Sequence, residues 1–249
     1  MNPSSPLLWS LLLGLAAAAA NVAGGLVVIA RRRWNELLLK YFVALGAGFM
    51  VAATFLRMLP ESLALSPRAP GLILLGYFLV HFFEHTVAPH FHFGEEVHGE
   101  VMMDPAVSTS ALIGLSIHTF FDGVSIASGF LVSMPLGLLI FFAVFLHKFP
   151  EGFTIASIAL ASGHGKRGAV IATGILAGAT LLGVIGMNYF ASAVAWALPV
   201  STGVTLYVAA TDLMPEVNEE RGIRMALVVF LGVALFWLTE LGLEAVGLS

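Results

Sequence analysis

Eight stretches of this sequence stay apolar for about 20 residues each: roughly 7–30, 38–59, 70–85, 106–132, 135–162, 168–190, 193–214 and 223–247. At 1.5 Å rise per residue, a helix of that length crosses the hydrocarbon core of a bilayer. In lipid every backbone N–H and C=O must find its partner inside the protein, and runs this long satisfy that as α-helices. The expected fold is therefore an all-α integral membrane bundle of eight transmembrane helices, with the lipid bilayer as its surroundings. The third run is the weakest, because it ends in Glu84 and His85.

Composition agrees. Only 10% of the residues are charged and 59% are hydrophobic, against about 25% charged in a soluble domain. The absence of cysteine removes disulfides, thiolate metal sites and cysteine nucleophiles. With 11 Lys+Arg against 15 Asp+Glu, the chain lacks the basic excess of a nucleic-acid binder. The connections between runs are short, so 1–249 reads as a single transmembrane domain. The first run carries Ala16–Ala20, which resembles a cleavage region. Its flanking charge is reversed for a signal peptide, with Arg31, Arg32 and Arg33 after it and no cation before it. It is kept as a span.

Loop charge sets the orientation. Arg31, Arg32, Arg33, Lys40, Lys166, Arg167, Arg221 and Arg224 fall on one side, and Arg57 and Arg68 on the other. The odd-numbered loops are expected in the cytoplasm and both termini outside. Loop 3–4, about 84–104, then lies in the cytoplasm. It holds His85, His90, His92 and His98 among Glu84, Glu95, Glu96, Glu100 and Asp104. As a cluster these residues read as a weak metal-capturing or metal-sensing segment; for any single histidine a solvated loop serves equally well.

A faint repeat links span 2 to span 7. Gly48 and Leu59-Pro60-Glu61 match Gly203 and Met214-Pro215-Glu216 at an offset of 155, while the Val-Ala-Ala-Thr blocks slip by two. Spans 2 and 7 run oppositely, so a true repeat is inverted, as in many transporters; chance similarity between Ala/Gly-rich helices is the alternative.

Spans 4 and 5 carry the ionisable residues of the interior. Span 4 reads His118-Thr-Phe-Phe-Asp122-Gly123, and span 5 His147-Lys-Phe-Pro-Glu151-Gly152. Residues four apart share a helix face. A turn near Ser133-Met134-Pro135 makes the two spans an antiparallel hairpin. Positions 122 and 147 are symmetric about that turn, and so are 118 and 151. Each carboxylate thus faces the other helix's imidazole, giving a rectangle of two His and two carboxylates. That set suits zinc, and tolerates iron or manganese. Without a cation, each carboxylate at mid-bilayer costs about 2.5 kcal/mol or more on insertion scales. Plain interhelical hydrogen bonds are the alternative. A bis-histidine haem is another, which the adjacent acids suit poorly. Pro150 loosens span 5 beside the ligands. Lys148 is anomalous at this depth; it either meets the carboxylates or snorkels to the interface.

These motifs resemble those of the ZIP (Zrt-, Irt-like) family of divalent metal transporters, in which a His-Asn-x-Pro-Glu-Gly signature on span 4 is followed by His-x-x-Pro-Glu-Gly on span 5. The resemblance implies a ZIP-like bundle, with an inverted repeat of spans 1–3 and 6–8 around the span 4/5 hairpin. It implies His118, Asp122, His147 and Glu151 as metal ligands, and Met50 as a methionine that approaches them, with helix packing as its alternative role. It further implies that the positions of a second metal are here Thr119, Lys148 and Thr180, so that a cation replaces the second ion. Asp122 is one methylene shorter than the family's usual Glu, and Phe121 stands where Pro is usual.

The implied function is zinc-preferring divalent cation transport into the cytoplasm, with Fe²⁺, Mn²⁺ and Cd²⁺ as further substrates. No prosthetic group and no enzymatic activity are expected. The motion implied is elevator-like, spans 1, 4, 5 and 6 sliding against 2, 3, 7 and 8. The small residues Ala16–Ala20, Gly24, Gly25, Gly46 and Gly48 suit such contacts. The expected location is a bacterial cytoplasmic membrane, with a second copy as the expected partner. An intramembrane zinc-dependent hydrolase and a metal-sensing membrane protein without flux are the rival readings.

Overall fold

Each apolar run becomes a helix. The computed structural model describes residues 4–30, 36–86, 105–219 and 222–248. Among them α1 is Ser4–Ala30, α3 Ala69–Thr86, α4 Pro105–Val132, α5 Met134–Ala161, α6 Gly165–Tyr189 and α8 Ile223–Ala245. Helix α2 covers 36–65 in three pieces, Glu36–Ala53, a π-helical turn Thr54–Met58, and Leu59–Leu65. Helix α7 repeats that design over 194–219, as Val194–Tyr207, a π-helical turn Val208–Leu213, and Met214–Glu219. No strand occurs among the described residues.

Seven of these helices are long and apolar enough to cross a membrane. Helix α3 is the exception, diluted by His81, Glu84 and His85 in its last turns, yet it packs along α7 as part of the bundle. Large apolar side chains cover the outside: Leu182, Phe230 and Leu238 are each more than 60% exposed. Water would not tolerate so much contiguous apolar surface on a monomer. The protein is an integral multi-pass membrane protein.

Helix ends follow local chemistry. Ser133 is extended between α4 and α5, and its Oγ accepts from Leu136 N at 3.3 Å, with Pro135 in the first turn. Gly163 and Gly165, with φ of 80° and 62°, turn the chain from α5 into α6 through a region that L side chains rarely adopt.

The two π-helical turns have one cause. Each ends two residues or fewer before a proline, Pro60 or Pro215. Proline cannot donate to the carbonyl four residues back, and its ring crowds that carbonyl. The helix widens instead: Leu59 N–H reaches Thr54 O, and Met214 N–H reaches Ala209 O, both across five residues.

The inverted repeat is carried by the whole packing pattern. Helix α1 packs on α5 as α6 packs on α4; α2 on α8 as α7 on α3; and α2 on α5 as α7 on α4. Glycines mark equivalent crossings, each lying where a Cβ would strike a facing backbone carbonyl. Gly24 faces Phe149 O and Gly152 faces Asn21 O; their counterparts are Gly183 on Phe120 O and Gly123 on Thr180 O. Gly48 with Val229 O and Gly232 with Leu45 O are matched by Gly203 with Ile73 O and Gly76 with Val200 O. Helices α1, α4, α5 and α6 pack on one another, α2 pairs with α8, and α3 with α7.

Gly24→Val places side-chain carbons against the Phe149 carbonyl, and is expected to destabilise by about 1–3 kcal/mol through overpacking. Gly186→Val meets open space and is expected to leave the unfolding temperature in detergent unchanged. Equal losses in the two variants would show that close helix approach is not what Gly24 serves.

Candidate metal centre

The α4/α5 hairpin brings the two motifs face to face. His118, Asp122, His147 and Glu151 are each less than 5% exposed, and one ligand atom from each falls within 4.8 Å of all the others. His118 Nε2 lies 3.3 Å from Glu151 Oε2, and His147 Nε2 lies 3.3 Å from Asp122 Oδ2. Along each helix the pairs are wider, 4.0 Å for His118–Asp122 and 3.8 Å for His147–Glu151. Ligands at about 2.0–2.2 Å from a tetrahedral zinc stand about 3.3–3.6 Å apart. The cross-helix pairs already have that spacing.

The imidazoles are oriented from behind. His147 Nδ1 lies 3.0 Å from Ala143 O, so Nδ1 carries the proton and donates. Its Nε2 faces the Asp122 carboxylate at hydrogen-bonding distance, where a divalent cation that displaced the proton would find both atoms as ligands.

Lys148 occupies the centre of this arrangement. It is fully buried, so it does not snorkel. Its Nζ lies 2.7 Å from Asp122 Oδ2 and 2.6 Å from Glu151 Oε2, and donates to Thr119 Oγ1 at 3.0 Å. Thr119 Oγ1 in turn donates to Glu151 Oε1 at 2.5 Å. Two carboxylates and one ammonium leave the site one negative charge with both imidazoles neutral.

Of the other expected site residues, Met50 is buried in the main apolar cluster on α2, where its carbonyl accepts from Thr54 Oγ1. Thr180 is buried on α6, its hydroxyl donating to Leu176 O at 3.3 Å. His85 is in the last turn of α3, its ring 4.0 Å from that of His81. The expected loop therefore starts later than residue 84, since α3 continues to Thr86. His90, His92, His98, Glu95 and Glu96 lie outside the described residues.

Sequence reading misses two participants, Asn21 and Asp212, and places a third acid, Glu84, in a loop. Asn21 on α1 donates from Nδ2 to Glu151 Oε1 at 3.0 Å. Asp212, buried in the π-helical turn of α7, joins Val208 and Leu213 in closing a cavity whose other walls are His118, His147 and Glu151. Glu84 is buried, not in a loop, and accepts from Tyr207 Oη at 2.7 Å. An acid inside a counted span was the available signal for Asp212.

A membrane bundle with a buried two-His, two-carboxylate cluster has a ligand set that could hold a metal ion within the bilayer. Residues 94–240 match the family described as ZIP Zinc transporter, and the chain belongs to that family, which is one of transporters and not of enzymes. The chain is similar to the Zinc transporter ZIP13 homolog of Drosophila melanogaster, 35% identical over half of this chain and 38% of that protein. It is similar to human Zinc transporter ZIP13, 31% identical over 52% of this chain and 40% of the relative. Human Zinc transporter ZIP4 is 31% identical over 48% of this chain and 19% of its own length. The chain thus spans less than half the length of these curated relatives.

Replacing Lys148 with Met removes the cation between two buried carboxylates. Breaking a buried ion pair in this way costs about 3–5 kcal/mol, so the metal-free protein is expected to unfold at a lower temperature in detergent. Added Zn²⁺ is expected to restore more stability to Lys148→Met than to the unaltered chain. An unaltered unfolding temperature would show that the ammonium does not hold the carboxylates.

Proposed function

We propose that the protein carries divalent metal, zinc in preference, across the membrane into the cytoplasm. The observation that carries this reading is the gathering of four ligand atoms from His118, Asp122, His147 and Glu151 within 4.8 Å, on side chains sealed from water. Two imidazole nitrogens and two carboxylate oxygens form a borderline-soft set that suits Zn²⁺ and accepts Fe²⁺, Mn²⁺ or Cd²⁺. The relatives' description as zinc transporters supports zinc.

The site takes one ion. Lys148 Nζ fills the space beside Glu151 Oε2 and Thr119 Oγ1 where a second cation would need those oxygens. The site helices α4 and α5 pack with α1 and α6 and meet α2 and α7 across a separate seam. That partition supports elevator-like alternating access, in which α1, α4, α5 and α6 move with the ion. Loop charge supports cytoplasmic odd-numbered loops and termini outside. Four protein ligands leave no open position for an activated water, which disfavours a hydrolase.

Purified protein in proteoliposomes is expected to take up Zn²⁺, with Fe²⁺, Mn²⁺ and Cd²⁺ competing less well or comparably. His118→Ala and Glu151→Ala are each expected to abolish uptake while the variants elute as folded protein. Undiminished uptake by both variants would sink the proposal.

A further inference from the structure

Among the described residues, three buried side-chain polar atoms lack a hydrogen-bond partner: Asn21 Oδ1, Ser125 Oγ and Ser128 Oγ. The serine hydroxyls can rotate toward carbonyls of their own helix. Asn21 Oδ1 cannot. The amide is fixed because Nδ2 donates to Glu151 Oε1 at 3.0 Å, and the residue has no exposure to water. A carbonyl acceptor sealed away and unpaired is costly and needs a reason.

Lys148 supplies one. Its Nζ touches Asp122 Oδ2 at 2.7 Å and Glu151 Oε2 at 2.6 Å. These are the same two oxygens that face His147 Nε2 and His118 Nε2. A divalent cation bound by the four residues must take those oxygens from the ammonium, and a positive ion there repels it. Lys148 is tethered and fully buried, so it cannot retreat to water. Its three N–H donors need other acceptors. Its third contact points the way: Nζ donates to Thr119 Oγ1 at 3.0 Å, and Thr119 Oγ1 and Asn21 Nδ2 both donate to Glu151 Oε1. Lys148, Thr119, Glu151 Oε1 and Asn21 are one connected hydrogen-bonded chain leading away from the ligand atoms.

We propose that Asn21 Oδ1 is the parking acceptor for the Lys148 ammonium, vacant while Lys148 bridges the carboxylates and filled when a divalent cation displaces it. The proposal rests on the metal-site reading above. Lys148 keeps its charge throughout, retains the Thr119 hydroxyl it already holds, and exchanges two carboxylate oxygens for one neutral amide oxygen. Asn21 thereby has two duties on one amide. Its N–H₂ aims Glu151, and its carbonyl receives the cation that Glu151 releases.

The test is a double-mutant cycle on Zn²⁺ affinity, measured by calorimetry on the purified full chain. Asn21→Leu is expected to weaken binding about ten-fold when Lys148 is present, but only about two-fold in a Lys148→Met background, where the lost bond to Glu151 is all that remains. Equal losses in both backgrounds would mean that Asn21 acts through Glu151 alone, and would overturn the proposal. His118→Ala separates the two readings. If it leaves Zn²⁺ affinity intact, the metal site itself is misassigned; if it abolishes binding while the cycle is additive, only the parking role fails. Should Asn21→Leu fold poorly, a Cd²⁺-loaded structure of the unaltered chain decides. Lys148 Nζ within about 3.2 Å of Asn21 Oδ1 supports the proposal, and Nζ on any other acceptor overturns it.

Discussion

Two carboxylates buried at mid-bilayer cannot stand charged without a cation against them, and the architecture is arranged around that requirement. Asp122 and Glu151 are almost wholly buried, and a lone acid at that depth costs about 2.5–3.5 kcal/mol even on the lenient insertion scales. Lys148 meets both at hydrogen-bonding distance. Asn21 and Thr119 take up the remaining Glu151 oxygen. These contacts need α1, α4 and α5 to approach closely, and the glycine crossings at Gly24 and Gly152 allow it. Close packing here is a condition for electrostatic satisfaction as much as a source of dispersion energy.

The frame is two-fold and the site is not. Under the operation that exchanges α1 with α6, α2 with α7, α3 with α8 and α4 with α5, His118 maps on His147 and Asp122 on Glu151. Thr119 then maps on Lys148, and the two are joined across the axis at 3.0 Å. Where a symmetric protein would place two equal groups, this chain has a hydroxyl and an ammonium. Asn21, beside the glycine crossing of α1, corresponds to Thr180 beside that of α6, yet Asn21 contacts Glu151 and Thr180 bonds its own helix. Symmetry supplies a rigid cradle of equivalent crossings. Departure from symmetry gives it one charged tether and one direction in which the tether can yield.

Regular periodicity explains what could be read in advance. The eight spans are legible because apolar length is a strong signal, and the His/carboxylate rectangle because His118 and Asp122, like His147 and Glu151, are four apart and the two pairs are symmetric about the Met134–Pro135 bond. The third span read weakly for the same reason that α3 falls short by composition, namely Glu84 and His85 at its end. Glu84 was counted with the loop, but Tyr207 provides the partner that lets it be buried, and a partner 123 residues away leaves no local trace. Asp212 sits in a π-helical turn, where the extra residue rotates every following side chain off the 3.6-residue count. The turns themselves keep the shared offset of 155, Leu59 N–H to Thr54 O matching Met214 N–H to Ala209 O, so the Val-Ala-Ala-Thr likeness lies off the structural register. Asn21 follows an alanine run with nothing local to mark it; its meaning depends on Gly152 letting α1 close on Glu151.

The lysine also changes what charge a moving site would carry. With neutral imidazoles, Asp122, Glu151 and Lys148 sum to minus one, and a bound divalent ion makes the sum plus one. In the proposed cycle, an inside-negative potential pulls the loaded site inward and pushes the empty site back outward. Each formal charge crossing 100 mV is worth about 2.3 kcal/mol. A site with two carboxylates and no lysine would instead be neutral when loaded and doubly negative when empty, so the potential would act only on the return, against a far larger cost of leaving two acids unpaired. In that proposed cycle Lys148 would spread the electrical work over both halves. It does so only if it stays charged with metal beside it, which requires a neutral acceptor within its reach.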